Sequence, residues 1–439
     1  MTALHLSRRL ARLALAVTVS IGAQAADRHE RDMQRARSMF PRVWAKIQAE
    51  SYDPTFGGVN TTELERTATS QLENTKSLAE TYAVIAQAVV NLNDSHTRFF
   101  PPLRPVRIEY GVSFDVVGKN VYVGAVKPGS DAAKQGLQAG ERVLSVNGMP
   151  AFRDSLSLIQ YSILTLNPQT GLRLQLARAD GAIRELTFAA EVKTLPRNLD
   201  LAGGDFLRLM LKQEEREAQL TSKFVDLAPK VLWWQLSTFS LPEEVERGLR
   251  KSANYDHVII DLRRNRGGLE SEMLDAIGAC LGKGRHPIGK IQERTKETPL
   301  QASSRFNIPG KLYVLIDGNS ASASEVFARA LQLAGRATVL GDLSAGKVNR
   351  SRTHVLTLGD GANLVVFAVQ VTEGQITMSD GQILEKNGVT PDVWLVPSPK
   401  DLAAGDDPVL ATAAKMAGVT LSKQQAGEIT RKHRPQLFD

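Results

Sequence analysis

One short segment restricts the fold and the chemistry of this chain more than any other. Residues 319–325, Asn-Ser-Ala-Ser-Ala-Ser-Glu, lie between an apolar run at 312–316 and a helical pattern at 326–333. Small residues permit a tight turn from a strand into a helix, whose N-terminus presents unpaired N–H groups and a positive dipole end. A serine in this turn is placed to act as a nucleophile, because the same N–H groups can stabilise an oxyanion.

A lysine follows in a Gly-Lys pair at Lys347. A lysine amine can serve as the general base for a serine when burial keeps it neutral. The two features together predict a Ser-Lys hydrolase. The alternative is structural, since a Ser/Ala run before a helix is commonly only an N-cap and a single lysine is commonly an exposed charge.

Hydrophobic patterning divides the 439 residues into regions, in line with about three domains of roughly 150 residues each. Residues 26–105 predict a helical region, because apolar side chains recur at helical spacing. Residues 106–192 predict a small β-rich module with two helices. Residues 231–439 alternate strands and helices and predict an α/β core, and the charged stretch 193–230 is interpreted as a linker.

Residues 1–25 have the form of a secretory signal peptide. Arginines precede an apolar stretch at 13–23, which is too short to span a membrane as a helix, and Ala23-Gln24-Ala25 has the small-x-small pattern of a cleavage site. We therefore expect cleavage before Ala26 and export, to the periplasm. No cysteine follows the apolar stretch, so no stable membrane anchor is predicted.

Composition argues against several other classes of protein. Cys280 is the only cysteine, which excludes an internal disulfide and a cysteine-rich zinc or redox site. No His-x-x-x-His pattern or carboxylate cluster indicates a metal, and no cofactor is predicted. The net charge is +7, but basic and acidic residues are interspersed, so no nucleic-acid partner is predicted.

A second turn supports the hydrolase hypothesis. Residues 261–268, Asp-Leu-Arg-Arg-Asn-Arg-Gly-Gly, come directly after a predicted strand. Gly267 and Gly268 let backbone N–H groups approach a ligand with no side chain in the way, so this turn is a candidate second donor to an oxyanion hole. Alone the signal is weak, because a Gly-Gly pair after a strand is commonly just a turn.

These motifs resemble a known family. The β-rich module resembles a PDZ domain in three segments, 111–114, 128–133 and 136–148. The core resembles the carboxyl-terminal processing, or tail-specific, serine peptidases in four motifs, 261–268, 320–325, Gly346-Lys347 and 387–392. The motifs follow the order found in that family, and the resemblance covers most of residues 75–415.

The resemblance implies a role for each matching residue. Ser322 would be the nucleophile and Lys347, 25 positions later as the family pattern requires, would be the general base. The N–H of Ala323 and one from the Gly267-Gly268 turn, with Gly268 favoured, would form the oxyanion hole. The core would be a ClpP/crotonase-like α/β fold with an inserted PDZ domain.

The chain departs from the family pattern after the lysine. The family usually has a glutamine four positions further on, which orients the amine, but Ser351 stands there, and Val348 replaces the expected glycine. Ser351 has a shorter reach, so Asn349 is a second candidate for orienting Lys347. Both Ser322 and Lys347 are present, which favours an active enzyme over an inactive homologue.

Histidine is the commoner base for serine and provides the main alternative. His96, in Asp-Ser-His-Thr at 94–97, is the best such candidate. Related peptidases often carry a similar motif in the helical region, which favours a packing role for this residue.

The PDZ-like module predicts how substrates are chosen. The N–H groups of Tyr110, Gly111 and Val112 would receive a chain-terminal carboxylate while the peptide adds as a strand beside a helix at 154–164. Four apolar residues of that helix would line a pocket for the last side chain, unless they form the module's own core: Leu156, Leu158, Ile159 and Ile163.

The favoured interpretation is an exported serine endopeptidase that recognises carboxyl-terminal tails and cleaves through an acyl-enzyme. Its partners would be proteins or peptides with exposed carboxyl termini, with a regulatory or adaptor protein as a further partner. Two alternatives stay open. One is a relative that uses the same dyad on a small acyl or peptide substrate, and the other is a PDZ-based scaffold with a degenerate or latent protease core.

Overall fold

The computed structural model describes residues 29–102, 104, 106–178, 181–194, 221–360 and 364–433. The predicted signal peptide with its cleavage site, and residues 195–220 of the predicted linker, lie outside this part of the chain. Within the described ranges, no helix combines the length and the apolar character needed to cross a membrane.

Helices form most of the N-terminal region, as the periodicity predicts. After helical residues 29–37 come α1 (Met39–Glu50), α2 (Thr61–Glu73) and α3 (Leu78–Val90). The region 26–105, predicted to be helical, also contains one strand after its last helix, β1 (Arg98–Phe100). Its residues alternate between two faces, with Phe99 fully buried, and this alternation suits a strand rather than a helix.

The PDZ-like module is a small sheet with two helices. In chain order its elements are β2 (Val106–Glu109), β3 (Val112–Val117), β4 (Asn120–Val126), α4 (Asp131–Lys134), β5 (Arg142–Val146), β6 (Met149–Pro150), α5 (Arg153–Tyr161), β7 (Gly171–Ala177), β8 (Ile183–Ala189) and β9 (Glu191–Thr194). The main sheet has the order β3-β4-β5-β7-β8, so β3 is an edge strand. β2 pairs with β9, so the chain enters and leaves the module side by side, as an inserted domain requires.

The core contains ten strands and six helices within the described residues. In chain order they are β10 (Lys223–Ala228), β11 (Val231–Gln235), α6 (Pro242–Ser252), β12 (His257–Asp261), α7 (Glu270–Leu281), β13 (His286–Glu293), β14 (Glu297–Ala302), β15 (Lys311–Ile316), α8 (Ala323–Leu333), β16 (Ala337–Gly341), β17 (Arg350–Leu358), β18 (Val365–Met378), β19 (Val393–Trp394), α9 (Pro399–Ala404), α10 (Pro408–Met416) and α11 (Lys423–His433). β10 lies inside the predicted linker 193–230, yet it is an edge strand of the core sheet.

The main core sheet has the order β10-β11-β12-β15-β16-β19 and is parallel except at β10. Helices cover both faces: α6, α7 and α8 pack on one side, and α10 and α11 pack on the other. Both faces are buried, which explains why β12 and β15 are continuous apolar runs. In such a sheet the loops at the carboxyl ends of the strands converge, and the turns after β12 and β15 therefore meet.

A second sheet joins the N-terminal helices to the core. Its order is β1-β18-β13-β14, with β17 also paired to β18. Apolar residues of one face, including Phe99 and Val369, pack against α1, α2 and α3. Arg98 is opposite Gln370, and Ser351 is opposite Thr372, so these polar residues share the other face. That face lies next to the segment that carries Lys347.

Candidate active site

Ser322 lies at the turn between β15 and α8, where it is the N-cap residue of the helix. Its backbone has φ 57° and ψ −121°, a left-handed conformation that residues other than glycine rarely adopt. Among the described residues, its hydroxyl makes no capping hydrogen bond to the helix. The strained strand-to-helix turn therefore leaves the hydroxyl available, which is the arrangement expected of a nucleophile.

The flanking serines hold this turn in place. Ser320 and Ser324 are fully buried. The Ser320 hydroxyl donates to the carbonyl of Leu262 at 2.8 Å, and the Ser324 hydroxyl donates to the carbonyl of Asn265 at 3.0 Å. Of the three serines, the outer two bind the turn after β12, while Ser322 does not.

The turn after β12 is itself anchored by buried charges. Arg263 donates to Asp261 and to Asp407, in pairs with closest distances of 2.6 and 2.8 Å. All three side chains are nearly inaccessible to solvent. The neighbouring Arg263 cation lowers the pKa of Asp407 to about 2, although burial acts to raise it. The guanidinium thus links the start of the glycine turn to α10.

Gly267 lies directly against Ser322. A Cβ atom placed on it would lie 2.7 Å from the Ser322 Cβ and 2.9 Å from the Ala323 nitrogen. On Gly268 a Cβ would lie 2.3 Å from the Ser240 nitrogen. Both residues also have positive φ, of 98° and 144°. Glycine is therefore required at both positions.

The two glycines differ in what their N–H groups do. The Gly267 N–H donates to the side-chain oxygen of the buried Asn265 at 2.8 Å. Among the described residues, the N–H groups of Ala323 and Gly268 donate to no protein acceptor. The geometry thus leaves Ala323 and Gly268, rather than Gly267, with N–H groups available for a ligand.

Lys347 lies in the loop between β16 and β17, and its backbone contacts that of Ser322. The Ser322 N–H donates to the Lys347 carbonyl at 2.7 Å. Burial lowers the pKa of the Lys347 amine to about 8, and the Arg98 and Arg266 cations act in the same direction, against Glu325 and Glu385. A base with such a pKa has a substantial neutral fraction at mildly alkaline pH.

Glu325 is a site residue to which the sequence analysis assigns no role. It is fully buried on the first turn of α8. Its carboxylate accepts from the N–H groups of Ser322 and Lys347, from the N–H of Gly346 and from the hydroxyl of Ser344. Burial raises the pKa of Glu325 to about 7. The Ser-x-x-Glu spacing of a capping box was the available signal for it.

The side chains of the two residues predicted to orient the lysine differ in their hydrogen bonding in this structure. The Ser351 hydroxyl accepts from the Gln370 amide at 2.7 Å. The buried Asn349 donates its N–H to Glu385 at 3.1 Å, while its side-chain oxygen has no hydrogen-bond partner among the described residues. Glu385, which the sequence analysis missed, also accepts from the Val348 N–H at 2.8 Å.

His96 lies in the same neighbourhood as the lysine. Burial lowers the pKa of its imidazole, as do the Arg98 and Lys347 cations, whereas the carboxylates of Glu385 and Asp94 oppose this shift. The imidazole Nδ1 is 2.7 Å from the Ser95 hydroxyl, and the backbone N–H of His96 donates to the Asp94 carboxylate at 3.0 Å. The structure therefore brings the alternative base close to the site.

The predicted peptide-binding residues of the PDZ-like module lie in its interior. Tyr110 and Val112 are buried, and the Tyr110 hydroxyl donates to the Ile163 carbonyl at 3.1 Å. Leu156, Ile159 and Ile163 are each 2% exposed and belong to the module's core, whereas Leu158 is 46% exposed. In this structure the first three face that core rather than an open groove. Gly111 has a φ of 70°, and a Cβ there would lie 2.7 Å from the Ser130 Cβ.

The module contacts the core next to the site. Arg153, the first residue of α5, donates to Asp342 at 2.7 Å and to the Leu343 carbonyl at 3.0 Å. The Gly118 N–H donates to the same carboxylate at 2.7 Å. These contacts fall on the segment that leads from β16 to Lys347.

Two regions of the chain match models of known protein families. Residues 230–395 match the family model for peptidase family S41, and residues 122–175 match that for the PDZ domain. The chloroplastic C-terminal processing peptidase of Tetradesmus obliquus is 25% identical over 397 residues, which cover 83% of this chain and 78% of that protein.

Two solved structures share the fold. The photosystem II D1 C-terminal processing protease has a TM-score of 0.51 and 22% identity, over 83% of this chain and 94% of that chain. Mature CPAF has a TM-score of 0.61 and 13% identity, over 93% of this chain and 99% of that chain. The predicted family and the predicted fold class are thus confirmed, with a serine peptidase domain and a PDZ domain in one chain.

Proposed function

Residues 230–395 belong to peptidase family S41 and residues 122–175 form a PDZ domain, and on this premise we propose that the protein is a serine endopeptidase with Ser322 as nucleophile. One observation carries the proposal. The strained Ser322 offers a hydroxyl free of capping bonds beside two unused N–H groups, those of Ala323 and Gly268. A peptide carbonyl attacked by Ser322 would place its oxyanion on these two donors.

Lys347 is the proposed general base. It takes the proton from the Ser322 hydroxyl as the Oγ–C bond forms, and the tetrahedral intermediate then loses the amine, which receives that proton. A water molecule, activated by the amine of Lys347, then hydrolyses the acyl-enzyme. The pKa of about 8 supports this role, because the neutral amine is accessible without strongly alkaline conditions.

His96 is the second candidate for the base, because it shares the electrostatic environment of Lys347 and Glu385. The two candidates predict different pH profiles. A lysine with a pKa of about 8 gives activity that rises through that pH, whereas a histidine whose pKa is lowered gives an ascending limb below neutrality. Lys347→Ala and His96→Ala separate the two: the base is the one whose removal abolishes turnover.

Substrate choice is assigned to the PDZ domain. β3 is an edge strand, so a peptide carboxyl terminus can add beside it, with its carboxylate at the turn around Gly111. Since Leu156, Ile159 and Ile163 are packed inside the domain, their predicted role in a pocket requires α5 and the following turn, residues 162–166, to move away from the domain's core. The substrates proposed are proteins with exposed apolar carboxyl termini.

The first experiment is cleavage of an unfolded model protein with an apolar carboxyl terminus by purified residues 26–439. Ser322→Ala and Lys347→Ala are expected to abolish cleavage, and Lys400→Ala, an exposed lysine, is the matched control. A serine-directed acylating probe should label the unmodified protein and not Ser322→Ala. Tail binding with neither cleavage nor labelling would favour the scaffold with a degenerate core.

Export from the cytoplasm, to the periplasm, is proposed from the signal-peptide pattern of residues 1–25. Expression of the full chain in a bacterium, followed by fractionation and N-terminal sequencing, tests it. A mature protein that begins at Ala26 in the periplasmic fraction is expected. Retention of the leader on an active cytoplasmic protein would contradict the proposal.

A further inference from the structure

The backbones of the two proposed catalytic residues meet at one buried atom. Oε2 of Glu325 accepts from the N–H of Ser322 at 3.1 Å and from the N–H of Lys347 at 2.9 Å. Ser322 and Lys347 belong to different loops, one before α8 and one after β16. A single carboxylate oxygen therefore joins the two loops at the residues whose side chains must meet.

The other oxygen of the same carboxylate extends the connection. Oε1 accepts from the Ser344 hydroxyl at 2.5 Å and from the Gly346 N–H at 2.7 Å. The Ser344 oxygen in turn accepts from the Val389 N–H at 2.6 Å. The Glu325 side chain is thus hydrogen-bonded to the segments around residues 322 and 344–347, and through Ser344 it is connected to residue 389.

All four groups that contact the carboxylate are donors, and this explains why a carboxylate is needed. An ionised carboxylate offers acceptor positions on both oxygens. A glutamine amide of the same shape would direct its NH₂ group at two of the four donors in either orientation. Keeping a carboxylate away from water is costly, so its retention in a fully buried position calls for a specific role.

We propose that Glu325 is a positioning residue for the peptidase reaction, which holds the Lys347 segment against the Ser322 turn through hydrogen bonds to both backbones. The inference rests on the proposed roles of Ser322 and Lys347. Glu325 does not touch substrate; it acts by fixing the distance between the nucleophile and its base, on which the rate of proton transfer depends.

Glu325→Gln tests the proposal, because it keeps the size of the side chain and removes two of the four contacts. We expect kcat to fall at least tenfold with KM within twofold, since the substrate site is untouched. The Glu325 charge also raises the pKa of Lys347, so its loss shifts the ascending limb of the kcat profile to lower pH. The other charged or titratable groups around Lys347 are Arg98, Arg266, Glu385 and His96.

Asp401→Asn is the matched control. Asp401 holds the position in α9 that Glu325 holds in α8, three residues after the N-cap, and it accepts from the Ser398 N–H at 2.9 Å. We expect Asp401→Asn to lower thermal stability without changing kcat or the pH at which kcat rises. If Glu325→Gln behaves like Asp401→Asn, or lowers kcat without shifting the pH at which kcat rises, Glu325 has only a structural role and the proposal is overturned.

Ser344→Ala provides a second test should Glu325→Gln fail to fold. The hydrogen bond from Ser344 lowers the pKa of Glu325, which burial otherwise raises to about 7. Its loss leaves more of the carboxyl protonated near neutrality, so we expect a larger loss of kcat at pH 7 than at pH 9. An equal loss at both pH values overturns the proposal. Full activity in Ser322→Ala would instead overturn the assignment of the nucleophile.

Discussion

Gly267→Ala should inactivate the enzyme while leaving it folded. Two effects combine at this position. An alanine at φ 98° is strained, and its Cβ would lie 2.7 Å from the Ser322 Cβ, where ordinary contacts begin at 3.4 Å. The clash is with Ser322, the proposed nucleophile, so relief of the contact must displace Ser322 or the glycine turn.

The expected magnitude follows from these distances. Backbone strain in a left-handed conformation costs about 1–2 kcal/mol of stability. Restoring an ordinary contact requires a shift of about 0.7 Å between the two turns. Since a misplacement of about 1 Å can cost about 10²-fold in rate, we expect kcat to fall by one to two orders of magnitude.

Gly335→Ala is the control that shows the effect of backbone strain without displacement of a neighbouring residue. Gly335 follows α8 with φ 62°, and a Cβ there would have no neighbour within 4 Å. This variant should lose similar stability and keep its turnover. The assay is kcat on the unfolded model protein together with the melting temperature of each variant. A folded Gly267→Ala enzyme with more than half the normal kcat, or equal loss in Gly335→Ala, would refute the reasoning.

Three further predictions concern other groups. The kcat of the unmodified enzyme should rise with pH through about 8 as Lys347 loses its proton, and a flat profile from pH 6 to 9 would contradict this assignment. Asp407→Asn should cost about 1.5–3 kcal/mol in denaturant unfolding, because it weakens the hydrogen bonds to the buried Arg263, which keeps Asp261 as its remaining carboxylate partner. The pKa of Asp407 is lowered to about 2, so its contribution is present above its ordinary value near 3.8 and lost as pH falls towards 2. Burial raises the pKa of the Cys280 thiol to about 12, so alkylating reagents should modify it only after unfolding.

Arg153→Ala tests whether the PDZ domain affects the site through its contacts with residues 342–344. We expect slower turnover of short peptides, because Arg153 holds the segment that leads to Lys347. Arg142→Ala, an exposed arginine of the same domain, should leave turnover unchanged. Unchanged turnover in Arg153→Ala would exclude this route of influence.

Local patterns were sufficient to predict much of the architecture. Helical spacing predicted α1 and α3, and alternation predicted the short strands of the PDZ domain. The turn motifs at 261–268 and 319–325 were predicted to meet, and the structure brings Gly267 against Ser322. Such motifs are visible because the turns need glycine or small residues at defined positions.

Several residues could not be placed from sequence. Glu385 resembles an ordinary charged residue, and the capping-box spacing of Glu325 indicates only its local contact with Ser322. Only the fold shows that both carboxylates accept backbone N–H groups from the loop around Lys347. For the same reason, the position of Ser351 four residues after Lys347 suggests an orienting role in spite of its short reach, whereas in the structure its hydroxyl accepts from Gln370 on the next strand. Hydrogen bonds between distant segments leave no local pattern.

The amino-acid sequence alone determined the family, the order of the regions and the identity of the candidate nucleophile and base, because these depend on local motifs and their spacing. Only the tertiary structure decided which candidate oxyanion donor has an available N–H, since the Gly267 N–H donates to Asn265 and that of Gly268 has no acceptor within the described part of the chain. It also decided the pKa of Lys347, because burial and the approach of Arg98 and Arg266 arise from elements far apart in the chain. Electrostatic and hydrogen-bonding environments are properties of three-dimensional neighbours, which a linear pattern does not contain.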